Sequence, residues 1–142
     1  MALDIQTITP DKEIADAGVW LPYMGAEWKI ASQDTERYER TLLRNTRKQN
    51  SAELRRKPEI MQGLVIDTMA ETILLDWKGV EENGTPLPCT LANKKKILAI
   101  REIREWIGSQ SAEVENFRKE AIAADAEDLK SGPDLAPQVG SE

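Results

Sequence analysis

The segment that decides the fold is residues 58–77, PEIMQGLVIDTMAETILLDW, the most hydrophobic stretch of the chain. Pro58 suits the first position of a helix, because a helix leaves that backbone N–H without a partner anyway. The apolar residues recur at helical spacing and continue through Trp77, and Gly79 can end the helix. We therefore predict one long core helix here, with its apolar positions at Met61, Leu64, Val65, Met69, Ile73, Leu74, Leu75 and Trp77.

Around this segment the sequence predicts a mostly α fold. Residues 18–31 alternate in polarity around Met24-Gly25, which is typical of a short β-hairpin. Ser32 or Asp34 can cap a helix that runs to about Asn50, and residues 50–57 read as a polar connection. We expect a single helical domain of four to five helices over residues 1–130, with an N-terminal β-hairpin at about 18–31. Two further helices are predicted, one from a Thr90 cap towards Gly108 and one over 112–129, followed by a disordered tail at 131–142.

The residue types that are missing argue against catalysis. The chain has no histidine and one cysteine, Cys89. Histidine is the commonest general base near neutral pH, and a tetrahedral zinc site needs more than one cysteine. The carboxylates Asp67, Glu71 and Asp76 could in principle hold a metal, but solubilising charge on a helix is the favoured interpretation. We expect no enzyme activity, no metal and no cofactor.

Two features of the sequence bear on location. No run of about 20 apolar residues occurs, so we expect no membrane span. The N-terminus lacks a basic stretch followed by an apolar one, so we expect no secretory signal. Together with the single cysteine, these features favour a reducing compartment such as the bacterial cytoplasm.

The charge is distributed unevenly. The net charge of the chain is −6, yet residues 34–57 hold eight basic and four acidic residues, a net +4. Basic residues at spacings of three or four share one helix face. This face can be solvated, can meet acidic segments of a partner protein or of a neighbouring copy, or can contact nucleic acid. The candidate residues are Arg37, Arg40, Arg44, Arg47 and Lys48.

A second candidate surface surrounds the turn at Asn83-Gly84. Trp77 precedes the segment KGVEENGTPLP, and Val80 and Leu87 flank its polar tip. This pattern is typical of a short hairpin. The simplest interpretation is that Trp77 seals the core helix and that the prolines make the turn rigid. Trp77, Val80 and Leu87 are also candidate partner-binding residues.

Three features in order resemble the tail assembly chaperones of bacteriophages with long, non-contractile tails. The first is Gly18-Val19-Trp20 followed by Trp28-Lys29-Ile30-Ala31. The second is residues 70–80, AETILLDWKGV, followed by Asn83-Gly84, Pro86-Leu87-Pro88 and a helix from Thr90. The third is Glu115-Asn116-Phe117-Arg118, so the resemblance covers about residues 18–120.

The resemblance implies a protein that binds the tape measure protein, keeps it soluble and helps to recruit tail tube subunits. It also implies possible self-association and absence from the mature virion. Cys89 stands where the resemblance leads us to expect an aromatic residue. The alternative hypothesis is a small nucleic-acid-binding phage regulator that uses the basic helix 34–50, although the negative net charge makes nucleic acid the less favoured partner.

Overall fold

A computed structural model describes residues 2–49 and 51–118, and it shows a mixed α/β fold. The prediction of a mostly α domain with an N-terminal hairpin is wrong, because the strands lie in the middle of the chain and form sheets. The helices are α1 (Ile5–Ile8), α2 (Lys12–Ala17), α3 (Glu36–Arg47), α4 (Ser51–Arg56), α5 (Pro58–Thr72), α6 (Leu91–Leu98) and α7 (Arg101–Ala112). The strands are β1 (Val19–Tyr23), β2 (Ala26–Ile30), β3 (Leu74–Lys78), β4 (Glu81–Glu82) and β5 (Thr85–Pro86).

The central sheet has three antiparallel strands in the order β1-β2-β3. The first two strands pair from Val19 opposite Ile30 to Tyr23 opposite Ala26. They lie where residues 18–31 predict a hairpin, but they follow α1 and α2 and belong to a larger sheet. Met24 and Gly25 both have positive φ, which a two-residue turn between such strands requires.

Strand β3 is the element that the sequence prediction missed. The predicted helix 58–77 ends at Thr72, and Leu74–Lys78 pairs with β2, with Trp28 opposite Trp77. An apolar run such as Ile73-Leu74-Leu75 fits a buried strand as well as a helix, so periodicity cannot distinguish them. Two strands alone are marginally stable in water, and a third strand supplies backbone partners to β2 while it buries Leu74 completely.

Helix α3 begins later than predicted. Its N-cap is Thr35, whose hydroxyl accepts a hydrogen bond from the backbone N–H of Tyr38 at 3.1 Å. Ser32 instead accepts from the N–H of Asp34 in the preceding bend. The predicted polar connection at 50–57 contains the short helix α4.

The C-terminal half keeps the predicted cap but divides the predicted helix. The Thr90 hydroxyl accepts from the N–H of Asn93 at 3.2 Å, which confirms the cap of α6. A break at Ala99–Ile100 then separates α6 from α7, and Gly108 lies inside α7. The predicted helix over 112–129 is wrong in its described part, because α7 ends at Ala112 and a 3-10 turn occupies Val114–Phe117. Its remainder and the predicted disordered tail lie outside the described residues.

The core lies between the sheet and helices α5, α6 and α7. A smaller buried cluster of Ala15, Val19 and Phe117 joins α2 and β1 to the 3-10 turn. Within residues 2–49 and 51–118, no helix has the length and hydrophobicity of a transmembrane segment. The buried residues of the main cluster are Ala26, Trp28, Ile30, Met69, Ala70, Ile73, Leu74, Trp77, Ile97, Leu98 and Ile107.

Candidate functional site

An open apolar groove of about 340 Å³ lies beside the main core. Its three walls are the β1–β2 turn with β2, the segment that carries β4 and β5, and the facing sides of α6 and α7. The strands β4 and β5 pair around Asn83-Gly84, both with positive φ, so the predicted turn is confirmed. The lining residues are Met24, Ala26, Trp28, Gly79, Val80, Glu81, Glu82, Leu87, Lys96, Ile97, Ile100 and Ile103.

Two tryptophans, Trp28 and Trp77, pack against each other and support the base of the groove. Trp28 and Trp77 pack edge to face, with ring centroids 6.2 Å apart. The Trp28 Nε1–H donates to the carbonyl of Tyr23 at 3.1 Å, and the Trp77 Nε1–H donates to the carbonyl of Leu87 at 2.7 Å. Each indole therefore satisfies its polar atom on the backbone while it presents an apolar face to the core.

The structure separates the three candidate partner-binding residues of this segment, which are Trp77, Val80 and Leu87. Val80 and Leu87 line it, whereas Trp77 is 7% exposed and lies beneath it. Trp77 therefore does not line the groove itself, and its hydrogen bond holds the backbone of Leu87 in place. The backbone N–H of Leu87 also donates to the carbonyl of Val80 at 2.9 Å, which closes the base of the hairpin.

Two lining residues that the sequence analysis did not single out are the most exposed apolar ones. Met24 is 66% exposed and has a φ of 52°, a left-handed conformation that costs an ordinary L-residue about 1–2 kcal/mol. Ile100 is 51% exposed and is the N-cap of α7, where it makes no side-chain capping hydrogen bond. Asparagine suits both positions better, because it tolerates positive φ and caps helices. The apolar pattern of the sequence runs continuously from Ile97 to Ile107, so the sequence carries no separate signal for Ile100.

The charged residues of the groove lie on one side. Glu81 and Glu82 are exposed lining residues, and Lys96 forms an ion pair with Glu82. Glu81 makes no ion pair with any residue that the structure describes. This side of the groove therefore carries a small net negative charge.

The predicted basic face on α3 is a separate surface, and no residue lines both it and the groove. Arg37 is a structural residue, because its Nη2 donates to the carbonyl of Asp16 at 2.9 Å and to that of Thr72 at 3.5 Å. The other predicted residues, Arg40, Arg44, Arg47 and Lys48, line a shallow depression together with Leu43.

The carboxylates weighed as metal ligands have other partners. Asp67 pairs with Lys95 at 3.3 Å, and Glu71 pairs with Arg44 at 2.6 Å. Within residues 2–49 and 51–118, no group of three acidic or cysteine side chains is placed to hold a metal ion. Each of these two carboxylates therefore has a structural partner that accounts for its position.

Cys89 is half-buried against the sheet. Its thiol lies 3.8 Å from the carbonyl of Leu75, to which the S–H donates. Burial raises the pKa of the Cys89 thiol above its ordinary value, and the charge of Asp76 adds to this while Lys94 opposes it. A raised pKa keeps the sulfur protonated, which disfavours a nucleophilic role.

Replacement of Trp77 by phenylalanine should loosen the hairpin. The substitution keeps most of the apolar volume but removes the donor to the Leu87 carbonyl. Loss of one partner of a half-buried hydrogen bond costs about 1–2 kcal/mol in the free energy of unfolding. Denaturant unfolding should show this loss, and amide exchange at Leu87 should accelerate about tenfold if the hairpin opens locally at that cost.

Trp106 provides the matched control for this prediction. Its ring stacks on Tyr23 at 4.3 Å, and its indole N–H makes no hydrogen bond to the described residues. Trp106→Phe should leave amide exchange at Leu87 unchanged. Equal acceleration in both variants would mean that the Trp77 N–H does not hold the hairpin.

Comparison with known proteins identifies a phage family. Residues 27–128 match the sequence profile of the YdaY prophage protein family, and this match covers well over half of the chain. No curated protein and no solved structure matches the chain. The matched range includes β2 from Glu27 onwards, the β4–β5 hairpin, α6 and α7, and so includes every groove residue except Met24 and Ala26. The chain therefore belongs to the YdaY prophage protein family and is phage-derived.

Proposed function

We propose that this phage protein is a tail assembly chaperone whose apolar groove binds a helical segment of the tape measure protein. The proposal combines the phage origin, the resemblance of residues 18–120 to such chaperones, and the open groove. Grooves of this kind take the apolar face of an amphipathic helix, with side chains at helical spacing as anchors. A chaperone that covers this face keeps its partner soluble until assembly.

The exposure of Met24 and Ile100 is the observation that carries the proposal. At both positions the local backbone favours asparagine, and at both the chain has a large apolar side chain that contacts little of its own protein. Positions where the residue type disagrees with the preference of the local backbone, without a gain in stability, are typical of functional sites such as binding surfaces. Because both residues lie on the groove, a partner that covers them explains the two exceptions together.

The chemistry of the groove also limits the partner segment. Its apolar floor favours leucine, isoleucine, methionine or phenylalanine anchors. Glu81 and Glu82 on one side favour a lysine or arginine next to those anchors. We therefore expect an amphipathic segment with basic residues beside its apolar face.

The proposal has consequences for the place and mode of action. The protein acts in the cytoplasm of the bacterial host and is released before the virion matures. It helps to recruit tail tube subunits by presenting the coated tape measure protein. Because that partner is long, we expect several copies of the chain to bind along it and to contact one another. The protein catalyses no reaction and needs no cofactor in this scheme.

The nucleic-acid regulator has weaker support. A phosphate-binding face needs basic side chains available to the ligand. Arg37 is held by backbone carbonyls, and the net charge of −6 opposes the long-range attraction of a nucleic acid to the basic side chains that remain. Retention of DNA in a low-salt gel shift, lost steeply as salt rises, would favour this alternative over the chaperone.

Co-expression with the tape measure protein of the same phage tests the proposed function. We expect the tape measure protein to be insoluble alone and to stay soluble and co-purify when this chain is present. An equally expressed unrelated acidic protein of similar size serves as the control. An insoluble tape measure protein in both cases would contradict the proposal.

A further inference from the structure

The basic depression on α3 is a second surface, separate from the groove. It has a volume of about 420 Å³ and surrounds Leu43, which is 51% exposed. Four basic side chains form its edges, namely Arg40, Arg44, Arg47 and Lys48. An exposed leucine within a ring of cations fits a segment that combines carboxylates with one or two aliphatic side chains.

Much of the positive charge of this depression is available to such a segment. Arg40 pairs with Glu36 on the same helix, and both side chains are more than 70% exposed, so water screens this pair. Arg44 pairs with Glu71 but stays more than half exposed. Arg47 and Lys48 make no ion pair with any residue in the described part of the chain. The depression therefore keeps a net positive charge within a chain of net charge −6.

We propose that this depression binds the acidic C-terminal segment of the same chain, residues 120–129. Residues 119–142 contain six acidic residues and two lysines, a net charge of −4. Four of the acids, Glu120, Asp125, Glu127 and Asp128, fall within residues 120–128 without a basic residue among them. Ile122 and Leu129 supply aliphatic side chains of the kind that Leu43 can contact.

The last described residues, Phe117 and Arg118, are held at the start of α2. Residues 120–129 therefore begin within reach of the depression. Phe117 is buried, its carbonyl accepts from the N–H of Asp11 at 2.9 Å, and the Arg118 Nε donates to the carbonyl of Ile8 at 3.0 Å. These contacts fix Arg118 at the start of α2. Arg37 fixes the first turn of α3 to the other end of α2, through the carbonyl of Asp16.

Chain length agrees with this geometry. The six residues of α2 span about 9 Å, and the twelve residues of α3 span about 18 Å. Extended chain covers about 3.3 Å per residue, so residues 119–128 can reach about 30 Å from Arg118. Chain length therefore allows Asp125, Glu127 and Asp128 to reach Arg44, Arg47 and Lys48. This docking does not depend on the proposed function, because it uses a different surface.

Zero-length coupling of amines to carboxylates in the full-length native chain tests the docking. Lys48 is the one lysine among the residues that line the depression, so its cross-links report on that surface. We expect peptide mapping to find Lys48 joined to Asp125, Glu127 or Asp128 at low ionic strength. The pairs Lys96–Glu82 and Lys95–Asp67 are internal controls, because the structure places them in contact.

Two matched variants and an isotope experiment complete the test. Arg47→Glu should lower the Lys48 cross-link about threefold, whereas Arg101→Glu, with the same change in net charge, should leave it unchanged. Circular dichroism should show that both variants are folded. In a mixture of ¹⁴N- and ¹⁵N-labelled protein, all Lys48 cross-links should join peptides with the same label. Absence of the Lys48 cross-link while the internal controls form, or mixed-label cross-links, would overturn the proposal.

Discussion

The double variant Met24→Asn/Ile100→Asn should be more stable than the native chain and should bind the tape measure protein at least about tenfold more weakly. Asparagine at position 24 relieves the left-handed strain, and asparagine at position 100 caps α7, so the free energy of unfolding should rise by about 1–2 kcal/mol. Binding should weaken because both substitutions remove apolar contacts from the groove. Chemical denaturation and titration calorimetry with a tape measure fragment measure the two effects.

The opposite signs of these effects make the test specific. A variant that unfolds also loses binding, but this one should lose binding while it gains stability. Leu91→Asn is the matched control, because Leu91 is 50% exposed and does not line the groove. Unchanged affinity in the double variant would remove Met24 and Ile100 from the binding surface.

Replacement of Leu74 by alanine should have the largest effect on stability. Leu74 is fully buried in the main core cluster, at the start of the strand that completes the central sheet. Removal of a buried leucine side chain costs the transfer free energy of the lost methyl groups plus the energy of the remaining cavity. We expect the free energy of unfolding to fall by about 3–4 kcal/mol, measured by urea denaturation.

Leu91→Ala is the control, because it makes the same chemical change at a leucine that is not buried. The same atoms are removed from a half-exposed side chain at the first position of α6. The change should stay within about 0.5 kcal/mol, as is usual for surface substitutions. Similar losses in both variants would contradict the burial of Leu74 in the sheet.

Local signals in the sequence predicted the features that depend on neighbouring residues. The Asn83-Gly84 turn and the Thr90 cap follow from the conformational preferences of those residues, and the structure has both. Val80 and Leu87 are candidate partner-binding residues in the sequence because they flank the polar tip of the hairpin, and both line the groove. Their function as binding residues remains a prediction.

The missed features depend on distant parts of the chain. Strand β3 forms because β2, more than forty residues earlier, offers an edge to Leu74–Lys78. Arg37 belongs to the same helix-face pattern as Arg40 and Arg44, and only the packing of α2 and α5 turns its guanidinium towards two carbonyls. Ile100 marks a break between two helices, and the continuous apolar pattern from Ile97 to Ile107 conceals it.

Site-specific photo-cross-linking in the complex with the tape measure protein tests the central claim most directly. A benzophenone amino acid is placed at Met24 or Ile100 on the groove, and at Leu43 or Leu91 as exposed controls. We predict cross-links to the tape measure protein from positions 24 and 100 and none from positions 43 and 91. Cross-links from the control positions alone, or from none of the four in a complex that still co-purifies, would contradict the assignment of the groove as the binding site.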